Sequence, residues 1–435
     1  MYINDNLLTG VIPDEIVRLN ISTFEYAFNE LIVFSAQLIA RKSVGSHSWR
    51  SITSSSDGSK LSAVVSYGYI YTSLDSGVTW IERSSAGNRY WYSITSSSDG
   101  SKLAAVVNGG YIYTSSDSGV TWEERSSAGY RSWQSITYSS DGSKLAAVVN
   151  WGYIYTSSDS GASWDERSSA GSRYWQSITS SSDGSHLAAV VNGGYIYTSS
   201  DSGNTWVERL SSGYRFWISI TSSSDGSKLA AVGAYIYTSS DSGVTWVGRS
   251  SAGSRSWQSI TSSSDGSKLA AVVNGGYIYT SSDSGATWIE RSSAGYRSWR
   301  SITSSADGSK LAAVVYNGYI YTSSDSGVTW IERSSVGSHD WRSITSSSDG
   351  LKLAAVEANG GSLYSIYPFV HPLCSILAYT NINSKNLNGW TCDTINQPES
   401  DHCSWQGIQC SDVSVNGEEN IISVDLSNLM ISGEN

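Results

Sequence analysis

Cysteine is scarce in this chain of 435 residues: there are four, Cys374, Cys392, Cys403 and Cys410, all close to the C-terminal end. No disulfide framework or cysteine-ligated metal can therefore organise what precedes them, and their grouping favours an oxidising compartment for the tail, with zinc as the weaker alternative. Proline is equally rare, at four residues. Basic charge is in deficit, with 27 Lys and Arg against 38 Asp and Glu and a net charge of −11. Residues 391–435 carry eight of the acids and no base, which argues against a nucleic-acid-binding surface. No apolar run is long enough to span a membrane, Leu31 to Ala40 being too short and too polar, and no secretory leader opens at Met1. There is no glycine-rich phosphate loop and no Cys/His metal spacing. What is abundant is Gly (41), Tyr (28) and Trp (18), a composition that suits an all-β array.

The abundance is periodic. An eight-residue pattern, Ser-x-Asp-x-Gly-x-(Thr/Ser)-Trp, occurs seven times between Ser73 and Trp330, with its aspartates at Asp75, Asp117, Asp159, Asp201, Asp241, Asp283 and Asp325. The spacing is 42 residues with one step of 40, a period that signals a repeat array. A second segment, read at Trp49 as W-R-S-I-T-S-S-S-D-G-S-K-L, occurs eight times, led by Trp49, Trp91, Trp133, Trp175, Trp217, Trp257, Trp299 and Trp341. Each unit holds four short runs rich in β-branched and aromatic residues, exemplified by Trp91 to Thr95, Leu103 to Val107, Tyr111 to Thr114 and Thr121 to Arg125. Ser-Asp-Gly and Asn-Gly turns separate them. Four antiparallel strands per unit of this length predict one blade of a β-propeller.

The copy that starts at Trp341 has three strands and no Ser-x-Asp pattern, whereas Ile39 to Gly45 matches Ile81 to Gly87 in frame. The missing outer strand is thus expected at the N-terminus, where pairing with the last unit would close the ring and remove two open edges. This predicts eight blades over residues 36–367; seven blades, with a partial unit outside the ring, is the alternative.

The repeated pattern resembles the signature of the Asp-box family, whose members include sialidases, sortilin-type receptors, some endoglucanases and photosystem II assembly factors. The resemblance implies that the box is a structural hairpin between third and fourth strands. The residues give the same reading: the Asp carboxylate accepts N–H groups in the turn, Gly takes the unusual φ and Trp packs into the blade. Metal binding is not expected, because no second carboxylate joins these aspartates at ligand spacing. Family chemistry does not carry over. Near-identical blades offer no unlike carboxylate pair, the Arg-Ile-Pro segment of sialidases is missing, and the serine-rich turns lack a paired His at a repeat position. The chain is therefore read as a non-enzyme without a cofactor.

Strand alternation places both Asp-containing turns on one face and the remaining two connections on the other. That second face carries Arg89, Tyr90, Tyr130, Arg131, Arg173, Tyr174, Arg215, Arg255 and Arg297 between units, and Trp151 and Tyr316 where other hairpins have Asn-Gly. Guanidinium groups beside rings can stack sugars or hold anions; equally, each Arg can tie its loop by bonding carbonyls. The second face is the expected site for a protein or glycan partner.

The flanks differ. Leu8 to Ile16 resembles a plant-type leucine-rich repeat, giving a remnant at 1–25. Residues 374–435, with Trp390, Cys392 and the run from Cys403 to Cys410, resemble the cap that opens such a solenoid. That resemblance implies a Cys403–Cys410 disulfide and leaves Cys374 and Cys392 open. Taken together, the expectation is an extracellular or cell-surface recognition scaffold, monomeric within a larger polypeptide. A sialidase-like glycoside hydrolase and a plastid assembly factor of the photosystem II type are the alternatives.

Overall fold

A computed structural model describes residues 38–368 and, separately, 408–415 and 418–424. Contacts divide the chain into one unit at Leu38–Tyr367 and another made of Met1–Gln37 with Pro368–Asn435. In the latter, the described element is an antiparallel hairpin, Ile408–Val415 with Glu418–Val424. The segment 1–25, expected to resemble a leucine-rich repeat, lies outside the described residues, as do the parts of 374–435 other than this hairpin, and Cys403 of the expected Cys403–Cys410 pairing with them.

The larger unit is a β-propeller. Its first complete repeat runs β2 (Trp49–Ser54), β3 (Leu61–Gly68), β4 (Ile70–Ser73) and β5 (Ile81–Arg83), each antiparallel to the last. β3 is buried along most of its length because its alternate residues face two neighbours. In the second repeat, Leu103, Ala105 and Val107 pack with Trp91 and with Val64 and Ile70 of the repeat before, while Ala104 and Val106 pack against Trp133 of the repeat after. A strand buried on both sides reads as a continuous apolar run, L-A-A-V-V, rather than an alternating one. The outer strand is short and exposed, and its charged Glu-Arg pair discourages further strand pairing.

Among the described residues eight such units follow one another. In the fifth, the turn between Val232 and Ile236 is two residues tighter than its counterparts, which accounts for the 40-residue step. In the last, Trp341–Ser346, Leu353–Glu357 and Gly361–Pro368 pair in order, and β1 (Leu38–His47) occupies the outer place beside Gly361–Pro368. The junction between last and first units has the same kind of core as the others, with Ala354, Val356 and Leu363 against Trp49, Ile52 and Val65.

A ring of backbone hydrogen bonds runs through the turn after each innermost strand. Ser56 N–H donates to the carbonyl of Ser98, Ser98 to Ser140, Ser140 to Ser182, Ser182 to Ser224, Ser224 to Ser264, Ser264 to Ala306, and Ala306 to Ser348. Ser348 then donates to Ser56 at 2.6 Å, closing the circle. Each unit thereby satisfies a polar group that an edge would leave unpaired. Among the described residues no helix is long and apolar enough to cross a membrane.

Candidate recognition face

The two Asp-containing turns share one face. Ser76 N–H of the box donates to Ser59 O of the turn after β2 at 2.7 Å, and Lys102 Nζ reaches Asp141 O and Ser160 Oγ of the following unit. Within the box, Asp75 accepts from Ser73 Oγ (2.7 Å), from Thr79 N–H (2.9 Å) and from Thr79 Oγ1. Trp80 Nε1 donates to Gly77 O, and Ser76 and Gly77 both take positive φ. Burial pushes the Asp75 carboxyl up, but the bonds from Thr79 and Ser73 outweigh it and hold the group below its ordinary range. Asp117, Asp159, Asp201, Asp241, Asp283 and Asp325 are held alike. These carboxylates close a turn, and their lone pairs are spent on it.

The turn after the innermost strand is built on a second carboxylate. Asp99 accepts from Ser97 Oγ, Ser101 N–H and Ser101 Oγ, which bring its carboxyl down to about 2. Eight copies of this turn surround a cavity of about 320 Å³ lined almost wholly by serine, with Tyr138 and Ala306 as the departures.

The opposite face holds the sequence-predicted ligand residues. Each arginine there is anchored. Arg89, Arg131, Arg173, Arg215, Arg255 and Arg297 donate from Nε to the carbonyl three residues back, at 2.9–3.2 Å. They also lie over Tyr113, Tyr155, Tyr197, Tyr237, Tyr279 and Tyr321 at 4.5–4.9 Å. All except Arg215 reach a glutamate of the outer strand, as in Arg131 to Glu166 at 3.5 Å. For Arg215 the corresponding outer position is Gly248. Burial, then the hydrogen bond to Glu166, drives the Tyr155 phenol up. The guanidinium groups thus fasten the loop to its own unit, the role that carbonyl-bonding arginines would have.

The aromatic residues are differently placed. Trp151 and Tyr67 sit at the hairpin position that Gly109, Gly193 and Gly275 fill elsewhere, with φ of 58° and 56°. They are 75% and 74% exposed. A bulky residue in the left-handed region is a strained choice at a site that glycine fills without steric cost. Trp151 stacks on Tyr174 (5.3 Å, 19°) and Tyr67 on Tyr90 (4.5 Å, 2°). Where the hairpin has glycine, the next connection instead carries Tyr130, Tyr214 or Tyr296 just before its Arg, edge-on to Tyr111, Tyr195 or Tyr277. A strained hairpin aromatic and an aromatic just after the Arg thus come together, and glycine goes with one just before it. Tyr316 lies one place earlier, with Asn317 at the positive-φ position and Arg300 5.2 Å from its ring.

A further set of residues does not stand out by recurrence. In seven units the residue after the leading Trp is the extra one of a β-bulge in the innermost strand, as between Trp49 and Ser51. Bulges re-aim side chains. The position reads Arg50, Tyr92, Gln134, Gln176, Ile218, Gln258, Arg300, Arg342 around the ring. Variability inside an otherwise repeated W-x-S-I-T-S segment is the one sequence signal that marks it.

Solved structures similar to this chain confirm the propeller. YCF48 bound to D1 peptide matches with a TM-score of 0.52 and 15% identity, over 77% of this chain and 97% of that one. YCF48 from Cyanidioschyzon merolae matches at 0.50 and 15%, over 77% and 99%. The C-terminal WD40 domain of Sif2 matches at 0.58 and 12%, over 76% and 98%. At these identities the likeness is one of fold. No family model matches the sequence, and no curated protein does.

Proposed function

We propose that this chain is an eight-bladed, non-catalytic recognition propeller that binds a protein or glycan partner through the face carrying Trp151 and Tyr67. The observation that carries this reading is the pair of exposed, stacked aromatics held at positive φ. Backbone strain at a bulky, solvent-facing residue is retained where the residue does something beyond folding. Flat, rigid aromatic pairs give contact area at low entropic cost, which suits a peptide backbone or a sugar face. In this reading Tyr90 and Tyr174 complete the stacks, Tyr130 and Tyr316 extend the surface, and the anchored arginines hold the loops that present them. A peptide partner gains support from the likeness to YCF48, which was solved bound to D1 peptide; the plastid alternative rests on the resemblance of the Ser-x-Asp repeats to photosystem II assembly factors. The extracellular placement rests on the cysteine grouping and flanking motifs alone.

The test is a glycan and peptide array, run with glycosidase and sialidase substrates, on the full chain and on a Tyr67→Gly, Trp151→Gly double variant. Binding without turnover, lost in the variant, supports the proposal. Turnover would overturn the non-catalytic reading, and binding undiminished in the variant would remove the aromatic face from it.

A further inference from the structure

Three arginines occupy the bulge position in consecutive units: Arg300, Arg342 and, across the ring closure, Arg50. The bulge residues of the first three units meet one another, and the innermost strands that carry Arg300, Arg342 and Arg50 are neighbours in the same way. Arg50 Cζ lies 3.8 Å over the Tyr92 ring, and Gln134 Nε2 donates to Tyr92 Oη at 3.3 Å. Burial is the main cause that lowers the Arg342 guanidinium pKa, and the charges of Arg50 and Arg300 on either side lower it further.

These three differ from every other arginine in residues 44–366. The others spend Nε on a threonine hydroxyl of the third strand or on the turn carbonyl described above. No carboxylate among the described residues lies within ion-pair distance of Arg50, Arg300 or Arg342, and Arg300 Nε is buried without a partner. Asp340 acts on Arg342 from farther away. One of its oxygens is held by Asn359 Nδ2 at 2.8 Å and the other is buried without a partner. The cluster therefore carries a net charge of about +2 in a half-buried place, where like charges repel and an unpaired charge is costly. Across the ring the same position is Gln134, Gln176, Ile218 and Gln258, so the repeat does not require arginine there.

We infer that Arg50, Arg300 and Arg342 form an anion site on the propeller axis, at the end nearer the hairpin face, for a compact oxyanion with two or more negative charges. Guanidinium groups present paired N–H donors to planar or tetrahedral oxygens, and a dianion would relieve the repulsion that three adjacent cations create. Tyr316 beside Arg300 and Tyr92 beside Arg50 wall the site on two sides. The site does not depend on the aromatic face being a partner surface.

The experiment titrates inorganic phosphate and, separately, succinate into the full chain at constant ionic strength, with isothermal calorimetry and thermal melting as readouts. The variant is Arg50→Gln, Arg300→Gln, Arg342→Gln, which copies the residue that three other units already tolerate. The wild type is expected to bind at least one of the two anions and melt higher with it, phosphate alone pointing to a phosphoryl ligand and succinate to a carboxylate ligand. Each single Gln substitution should weaken binding by about tenfold, the worth of a charge-assisted hydrogen bond, and the triple variant should bind neither while melting at or above the anion-free wild type. Absence of binding to both anions in the wild type, or equal binding in the triple variant, overturns the site.

Discussion

The two faces of this propeller are built from the same repeat and behave differently within it. On the face of the Asp-containing turns, every unit does the same thing: a serine and an aspartate fold the turn, and a backbone hydrogen bond passes to the next unit until the circle closes. On the opposite face the hairpin position alternates among Tyr67, Gly109, Trp151, Gly193, Gly275, Asn317 and Asn359, and the bulge position runs from arginine to isoleucine. A residue that each unit needs for folding has to recur in each unit. A residue that varies among near-identical copies is free of that need, and there a surface can acquire a ligand.

The contrast between the faces can be broken most forcefully at the core they share. Trp217, fully buried with Nε1 donating to Gly194 O, should cost about 3–5 kcal/mol when replaced by alanine, measured by chemical denaturation. Next come two glycines of positive φ, one on each face. A Cβ on Gly119 would stand 2.5 Å from Thr72 Cγ2 of the preceding unit, whereas one on Gly109 would meet only Tyr130 Oη at 3.6 Å. Gly119→Ala should therefore lose about 2–4 kcal/mol and Gly109→Ala about 1. Equal losses would mean that the faces are equally constrained. Trp151→Gly is expected to gain about 1 kcal/mol by relieving strain while weakening partner binding; a loss of stability would make that aromatic a folding residue. Smallest is a pH effect specific to the serine-turn face. Asp99 and Asp141 have folded values near 2, below the ordinary carboxylate value of about 3.9. Their contribution is complete above about pH 4 and is lost as pH falls toward 2. An Asp141→Asn variant should show less acid destabilisation than wild type between those limits, checked by melting temperature against pH.

Much of this was legible in the sequence because the architecture is repetitive. The 42-residue period, the alternation of turn residues with β-branched runs and the in-frame match of Ile39 to Gly45 anticipate the strands and the placement of β1 at the outer edge of the last unit. The Ser-x-Asp loops also do what their residue types suggest. The candidate site was less legible, for a physical reason. Arg131 and its equivalents stand out by recurrence, yet recurrence marks a local structural task, here a carbonyl, a glutamate and a tyrosine ring in the same unit. The strain at Trp151 is a matter of φ, which no composition reveals, although its departure from Asn-Gly was visible. Arg50, Arg300 and Arg342 were hidden because one bulge inverts the simple in-out alternation of a strand.

That recognition belongs to the hairpin face is tested most directly by hydrogen exchange on the full chain, free and with a ligand identified on the arrays. Exchange is expected to slow at residues 66–68 and 150–152 and at the connections 88–90 and 172–174, with the serine turns unchanged. Protection confined to the serine turns, with the hairpins unaffected, would contradict it.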